Sequence, residues 1–289
     1  MHPDTGYQIV KLAGGVHSIH SLQYGETLHP SVGPVAEAEA LYVRQLRLLE
    51  RLRAHHGEFV VWDIGLGAAA NALTIFRATQ KLDCSIHLLS FDCTLEPLRF
   101  ALEHKETLGY LVGYEPQLRK LLKAGQARFD NGPQRVQWDL HLGDFPALLT
   151  QPAAQNLAKP HVIMFDAYSP ARNPAMWTLP LFANLFLLLD PQRPCALPTY
   201  SRSTMLRTTL LLAGFFVGVG QATGRKEETT IAANTLKLLE NPLDARWLQR
   251  ARRSHSAEPL REPEYRQAPL SIATWESLHR HPQFNQSRG

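Results

Sequence analysis

Residues 60–71, VVWDIGLGAAAN, read as a buried strand running straight into a glycine-rich turn and then a helix. Glycines at 65 and 67 let the backbone bend tightly and approach a ligand that a Cβ would exclude. The helix that follows offers unpaired N–H groups to an anionic or polar ligand edge. Working outward, the chain alternates. Strands are expected at 59–64, 85–91, 136–142, 161–165 and 195–200, with helices at 68–79, 95–104, 116–124, 176–189 and 203–213 between them. A hairpin of 215–219 with 229–233 closes the series. Right-handed βαβ crossovers place helices on both faces of such a sheet, so the pattern predicts an α/β, doubly wound, mostly parallel sheet of seven strands. Pro198 is awkward for an interior strand because it cannot donate to the ladder.

Before this core, residues 1–57 read as short strands over 8–22 with a Gly14-Gly15 turn, then a helix from 35 to about 55 with Ala36, Ala40, Val43 and Leu46 on its apolar stripe. After it, residues 234–289 break the alternation into helical pieces rich in Arg, Glu and Pro. The expected division is therefore an N-terminal extension (1–57), a core domain (58–233) and a partly helical tail (234–289).

In an open parallel sheet, ligands bind in the crevice beyond the carboxyl ends of the strands. Asp92 ends the second core strand, 27 residues after Gly65, where a carboxylate can accept two ribose hydroxyls. Asp144 follows the third, where it can read an adenine amino group. Each aspartate alone also suits a helix N-cap. Asp92, Asp144 and Asp166, three at the ends of consecutive strands after a glycine turn, favour a nucleoside crevice. A lone G-x-G fits both SAM (S-adenosylmethionine) and dinucleotide sites, but a dehydrogenase needs a pyrophosphate cradle and a substrate domain for which the chain shows no obvious room. SAM is the expected cofactor, with Asp63, Gly65, Gly67, Asn71, Asp92, Asp144 and Asp166 as the candidate binding set.

Asp166 opens the stretch 166–182, DAYSPARNPAMWTLPLF, and is the candidate catalytic residue. Pro170 and Pro174 restrict the loop, while Tyr168, Asn173 and Trp177 offer a phenol, an amide and an indole for a flat polar substrate. The same stretch is also consistent with a proline-rich βα loop whose aromatics cover the core.

The 289 residues carry a net charge of +4, 44% hydrophobic and 19% charged residues, an ordinary soluble balance that favours an anionic partner only mildly. Arg44, Arg47, Arg51 and Arg53 cluster in one stretch and Arg246, Arg250, Arg252 and Arg253 in another, spacings that also fit solvated helix faces. The N-terminal segment has no apolar run behind a basic start, and no apolar stretch approaches the ~20 residues that cross a bilayer. Three cysteines, Cys84, Cys93 and Cys195, form no CxxC pair, so a reducing cytoplasm is expected. The pairs His17/His20, His55/His56 and His279/His281 lack a matching carboxylate constellation, and no metal is expected.

Taken together, the segments resemble the SAM-dependent methyltransferase module of the MnmC type, the tRNA 5-aminomethyl-2-thiouridine methyltransferases. The resemblance rests on residues 166–182, on TYSRSTMLRTTLLLAGFFVGVGQATGRKEE (199–228), and on YGETLHPSVGPVAEAEALYV (24–43), and it spans about residues 5–233 in the family's own order. Ala69 stands where the family commonly has a third glycine, Asp92 where it often has Glu, and Ala222-Thr223-Gly224 where a Gly-x-Gly is expected. No FAD-binding glycine motif follows, so the oxidase activity of fused relatives is not expected. The resemblance implies a Rossmann-like class I methyltransferase fold and transfer of a methyl group to the aminomethyl nitrogen on C5 of a wobble (2-thio)uridine, with the tRNA anticodon stem-loop as partner. In that setting Trp177 and Tyr168 would wall the splayed base and Asn173 would read its edge beside Pro170. Arg225 and Lys226 would meet phosphate or pair with Glu227 or Glu228, and Glu26 and His29 would close the site or stabilise their loop. The alternatives are a methyltransferase for another RNA or a small amine, an NAD(P)-dependent oxidoreductase, and a catalytically silent RNA-binding module.

Overall fold

A computed structural model describes residues 6–224 and 227–285. Two compact units emerge, and they do not follow chain order. The first comprises Met1–Phe145 with Val162–Asp166 and Gln221–Glu227; the second comprises Pro146–His161, Ala167–Gly220 and Glu228–Gly289.

The first unit opens with a small antiparallel sheet of β1 (Tyr7–Lys11), β2 (His17–Ser21) and the two-residue β3 (Glu26–Thr27). The predicted helix of 35–55 is broken into three pieces. An α-helical turn, Pro34–Ala38, passes into a π-helical stretch, Glu39–Arg44, and a new α-helix, Leu48–Ala54, begins after Arg47 takes a left-handed φ of 48°. Of the expected stripe, Ala40, Val43 and Leu46 are buried, but Ala36 is exposed and Glu37 is buried beside it; the break had no signal, because nothing in the local propensities marks Arg47.

The unit's main strands are β4 (Glu58–Ile64), β5 (Ser85–Asp92), β6 (Gln126–Asn131), β7 (Gln134–Leu142) and β8 (Val162–Phe165), in the order β8-β4-β5-β7-β6. β4 pairs in parallel with both β5 and β8, and β5 with β7. Every residue of β4 after Glu58 is buried, as a parallel strand covered on both faces requires. Trp62 packs against Phe91 in a tilted pair at 5.4 Å and Phe76 meets Trp138 edge-on at 5.2 Å. Each such aromatic contributes on the order of 2–3 kcal/mol by burial.

The second unit carries β9 (Ala196–Thr199), β10 (Phe216–Gly220) and β11 (Thr229–Ala233), in the order β10-β11-β9 with both pairings antiparallel. Pro198 does sit in β9, opposite Ile231. The helices Leu179–Leu187 and Thr204–Leu212 pack on each other here, and the tail supplies Ala245–Arg252, Ile272–His279 and Pro282–Asn285. Gln283 ties the last of these down, accepting from Val217 N–H and donating to the carbonyls of Val217 and Leu243.

Five strands and three make eight, one more than the seven predicted. The addition is β6, which runs antiparallel to β7 through the two-residue turn at Asn131–Gln134. Its sequence, QARFDN, lacks a β-branched run and keeps only Ala127 fully buried, so no period-2 signal announced it. Arg128 and Asp130 stand exposed on it, charges of the kind that blunt a sheet edge.

Ala69 is one of three described non-glycine residues with positive φ, at 62°, and is completely buried at the head of the helix Ala70–Thr79. A left-handed alanine costs ~1–2 kcal/mol relative to the ordinary helical region. Against this, Ala69→Gly forfeits a buried methyl, worth about 0.8 kcal/mol, and loosens the unfolded chain by a comparable amount. Urea unfolding is therefore expected to find Ala69→Gly within about 1 kcal/mol of the parent, while the β-branched Ala69→Val loses more than about 2 kcal/mol.

Candidate active site

The bend after β4 is built by three successive positive φ values on alternate residues: Gly65 at 91°, Gly67 at 51° and Ala69 at 62°. Gly65 and Leu66 both donate to the Phe91 carbonyl at the end of β5, at 2.9 and 3.3 Å, which fixes the loop over that strand. A Cβ on Gly67 would meet only Leu28 Cδ1, at 3.7 Å, so the constraint at 67 is conformational and the segment 28–29 lies against the bend. Gly224 is the stronger steric case. A Cβ there would fall 2.5 Å from Val32 Cγ1 and 3.1 Å from Ser31 Cβ, so a glycine is required at 224, the position of the expected Gly-x-Gly that keeps one.

Four acidic side chains gather at this end of the sheet. Asp92 accepts from Gly67 N–H at 2.9 Å through Oδ2 and from Thr94 N–H at 3.1 Å through Oδ1. Burial raises its pKa, and those two amides pull it partly back. Asp63, 1% exposed, takes the Ser90 hydroxyl at 2.8 Å, and Ser90 Oγ in turn accepts the Trp138 indole N–H at 2.9 Å. Its other oxygen, Oδ1, is buried with no hydrogen-bond partner among the described residues. Burial, reinforced by Asp166 and Asp92 and opposed by the Ser90 bond and His29, pushes the Asp63 pKa up to about 8.

Asp166 continues β8 by one residue, donating its N–H to the Ile64 carbonyl at 2.9 Å, so the two parallel strands fix where its carboxylate emerges. Asn71, in the first turn of the helix Ala70–Thr79, donates Nδ2–H to Asp166 Oδ2 at 2.8 Å. His29 approaches the same oxygen with Nε2 at 3.6 Å and faces Glu37 Oε1 with Nδ1 at 3.8 Å. Burial pulls the His29 pKa down, but Asp166 and Glu37, with Asp63 behind them, outweigh it and leave it above the ordinary histidine value. The donor atoms of His29, Glu37 and Asp166 all lie within 4.8 Å of one another, close enough to hold a metal ion.

The structure thus brings together Asp63, Gly65, Gly67, Asn71, Asp92, Asp166 and His29. Asn71, expected to bind cofactor, instead orients Asp166. Asp144 is exposed just beyond β7; the Cys93 thiol is pushed up chiefly by burial and by Asp92, with Asp144 adding least. Glu26 lies in the small sheet, paired with Ser21. Glu37 was missed. An acid one residue from the stripe residue Ala36 looks solvated, and only the fold reveals that it is 3% exposed against a histidine.

The 168–177 residues lie in the second unit. Trp177 is completely buried, donating its indole N–H to the Tyr168 carbonyl at 2.7 Å and meeting the Tyr200 ring edge-on at 6.1 Å. With no exposed face, it is a loop anchor here and not the stacking platform expected from the sequence. Tyr168 and Pro170 are half-buried, and Asn173 precedes the 3-10 turn Pro174–Trp177 with its N–H on the Ser169 carbonyl at 2.8 Å. Arg225 and Lys226 lie outside the described residues.

The parallel sheet with its glycine bend and strand-end carboxylates defines the class: the chain has a class I SAM-dependent methyltransferase fold. Residues 114–235 match a family described as S-adenosyl-L-methionine-dependent methyltransferase. Curated relatives include the tRNA 5-methylaminomethyl-2-thiouridine biosynthesis bifunctional protein MnmC of Pseudomonas putida, 28% identical over 225 residues (72% of this chain, 32% of the relative), and that of Burkholderia mallei, 30% identical over 207 residues (66% and 30%). Among solved structures, MnmC2 of Aquifex aeolicus matches with a TM-score of 0.68 at 22% identity, covering 96% of this chain and 85% of that one. A spermidine synthase in complex with the transition-state analogue AdoDATO matches with a TM-score of 0.54 at 12% identity, covering 94% and 84%. Residues 114–235 are thus similar to a SAM-dependent methyltransferase family, and about two thirds to three quarters of the chain is similar to part of the MnmC proteins. The chain spans about a third of the length of the curated relatives it matches. Among the described residues, no helix is long and apolar enough to cross a membrane.

The raised Asp63 pKa has a defined consequence for folding. In the unfolded chain the carboxyl ionises near pH 4, whereas in the fold it holds its proton to about pH 8, so its contribution is fully present below pH 4 and is lost as pH rises toward 8. Asp63→Asn, which keeps an oxygen for Ser90, is expected to gain stability over the parent progressively between pH 5 and 8, read by urea unfolding at the two pH values; equal gaps at both would contradict it.

Proposed function

We propose that this chain is a SAM-dependent N-methyltransferase acting on the 5-aminomethyl group of a wobble (2-thio)uridine in tRNA. The observation that carries the reading is the convergence of Asp63, Asp92 and Asp166 on the glycine bend, close enough for the other two to raise the pKa of Asp63. Asp63 keeps its proton to about pH 8, and the carboxylates of Asp92 and Asp166 beside it disfavour an anion and favour a cation. That suits a sulfonium cofactor and an amine substrate, and it opposes the pyrophosphate of NAD(P). The residues present also fit the rest of SAM: Asp92 is placed for the ribose hydroxyls, and the Gly65–Gly67 bend presents backbone amides without side chains. Asp63 Oδ1, buried with no hydrogen-bond partner among the described residues and on a carboxyl that keeps its proton to about pH 8, supplies a hydrogen-bonding group for the cofactor's polar end. When bound, SAM supplies an electrophilic methyl on a positively charged sulfur.

Attack requires a nitrogen lone pair, which an alkylammonium lacks. Asp166, held by Asn71 at the end of β8, orients the amine and accepts its proton, and positioning then accounts for much of the acceleration. Supporting the tRNA substrate are the MnmC relatives, whose name specifies 5-methylaminomethyl-2-thiouridine biosynthesis in tRNA. Residues 58–233 would carry the chemistry.

The test is to incubate the purified protein and labelled SAM with tRNA from cells lacking this methylation, digest to nucleosides, and find which carries the label. Label on 5-methylaminomethyl(-2-thio)uridine is expected; label on free amines alone, or none, overturns the reading. Asp166→Asn is expected to lower kcat by about 100-fold or more with a smaller loss of SAM affinity by calorimetry, since its charge favours the sulfonium while the polar contacts proposed for the cofactor lie on β4 and β5. NAD binding in place of SAM would point to the oxidoreductase.

A further inference from the structure

His29 lies on a segment that leaves β3 and turns back over the glycine bend, and its own backbone is left-handed at φ 50°. A non-glycine residue in that region carries strain that the surrounding structure must hold in place. The ring it delivers is only 10% exposed and has a carboxylate opposite each nitrogen: Glu37 Oε1 3.8 Å from Nδ1 and Asp166 Oδ2 3.6 Å from Nε2. Both contacts are longer than hydrogen bonds and are ionic in kind: a neutral imidazole would turn a lone pair toward one carboxylate, whereas the imidazolium places positive charge and an N–H on the side of each. We propose that His29 is a positioning residue of the methyl transfer, an imidazolium clamped between Glu37 and Asp166 that, with Asn71, fixes the carboxylate receiving the substrate amine.

This inference rests on the methyl-transfer reading above and extends it to a residue that need not touch the substrate. Among the described residues, the groups facing His29 are Asp166 from the end of β8, Glu37 from the helix Pro34–Ala38 and Asp63 from β4, and the first two set its pKa above the ordinary value despite burial. The pH profile follows. Turnover rises with pH as the amine loses its proton and falls again as His29 loses its own, so the alkaline limb belongs to His29.

The experiment combines a reaction profile with a direct observation of the ring. Single-turnover methylation of tRNA at saturating SAM is measured from pH 6 to 10 for the parent, His29→Gln and Glu37→Gln, alongside nitrogen-15 NMR of the His29 ring in the full chain. Expected are protonation of both ring nitrogens at pH 7, an alkaline limb shifted to lower pH in Glu37→Gln, and loss of that limb in His29→Gln with kcat reduced at least about 10-fold and SAM affinity unchanged. A His29→Gln profile superimposable on the parent's, or a ring neutral at pH 7, overturns the proposal, as does a divalent cation found bound at Nε2. SAM binding by calorimetry separates a misfolded variant from an impaired one, with His29→Asn as the second substitution. Should the parent transfer no methyl to tRNA, the substrate reading fails and the positioning role falls with it, whereas a neutral ring in a protein that does methylate tRNA defeats the clamp alone.

Discussion

Everything at the candidate site depends on how the chain leaves β4. Within five residues it must pass from a strand paired on both sides to a helix that starts beside the next strand's end, and it does so with left-handed φ at 65, 67 and 69. That sequence of turns throws the amides of Gly65 and Leu66 onto Phe91, the amide of Gly67 onto Asp92, and Asn71 onto Asp166. Three strand ends are thereby tied to one loop. Any ligand that enters is presented with carboxylates whose spacing is set by parallel register and not by flexible side chains.

Burying acids together has an electrostatic cost, and the structure distributes it. Asp92 is compensated by backbone amides, Asp63 by a hydroxyl relayed from Trp138, and Asp166 by Asn71 and the His29 ring. The compensation at Asp63 is the weakest, which is why that group holds a proton well above the usual carboxylate range. A site arranged in this way discriminates by charge before it discriminates by shape.

Much of this was legible in the sequence because it follows from short-range rules. The buried run 59–64, two glycines and a helix make a strand, a bend and a helix N-terminus in any context, and the aspartates at 92 and 166 fall at strand ends as soon as the alternation is counted. What could not be read were relations between distant residues. Asn71 looked like a cofactor ligand because it adjoins the bend; its partner lies 95 residues away. Trp177 looked available because indoles in loops often are, and only the packing of its own unit shows it sealed inside. Glu37 and the π-helical stretch beside it carried no local signal at all. β6 was missed for the opposite reason: its residues suit an exposed edge, where periodicity fades.

The bond between Asp92 and the Gly67 amide carries one further implication. A carboxylate offers about four lone-pair sites, of which the Gly67 and Thr94 amides take one on each oxygen, so ribose hydroxyls could be added without displacing either. The two amides fix the plane of the carboxylate and with it the direction from which a hydroxyl can reach it. Cofactor affinity is then adjustable through substitutions in residues 66–69 that never meet the nucleoside, leaving the acidic residue itself untouched.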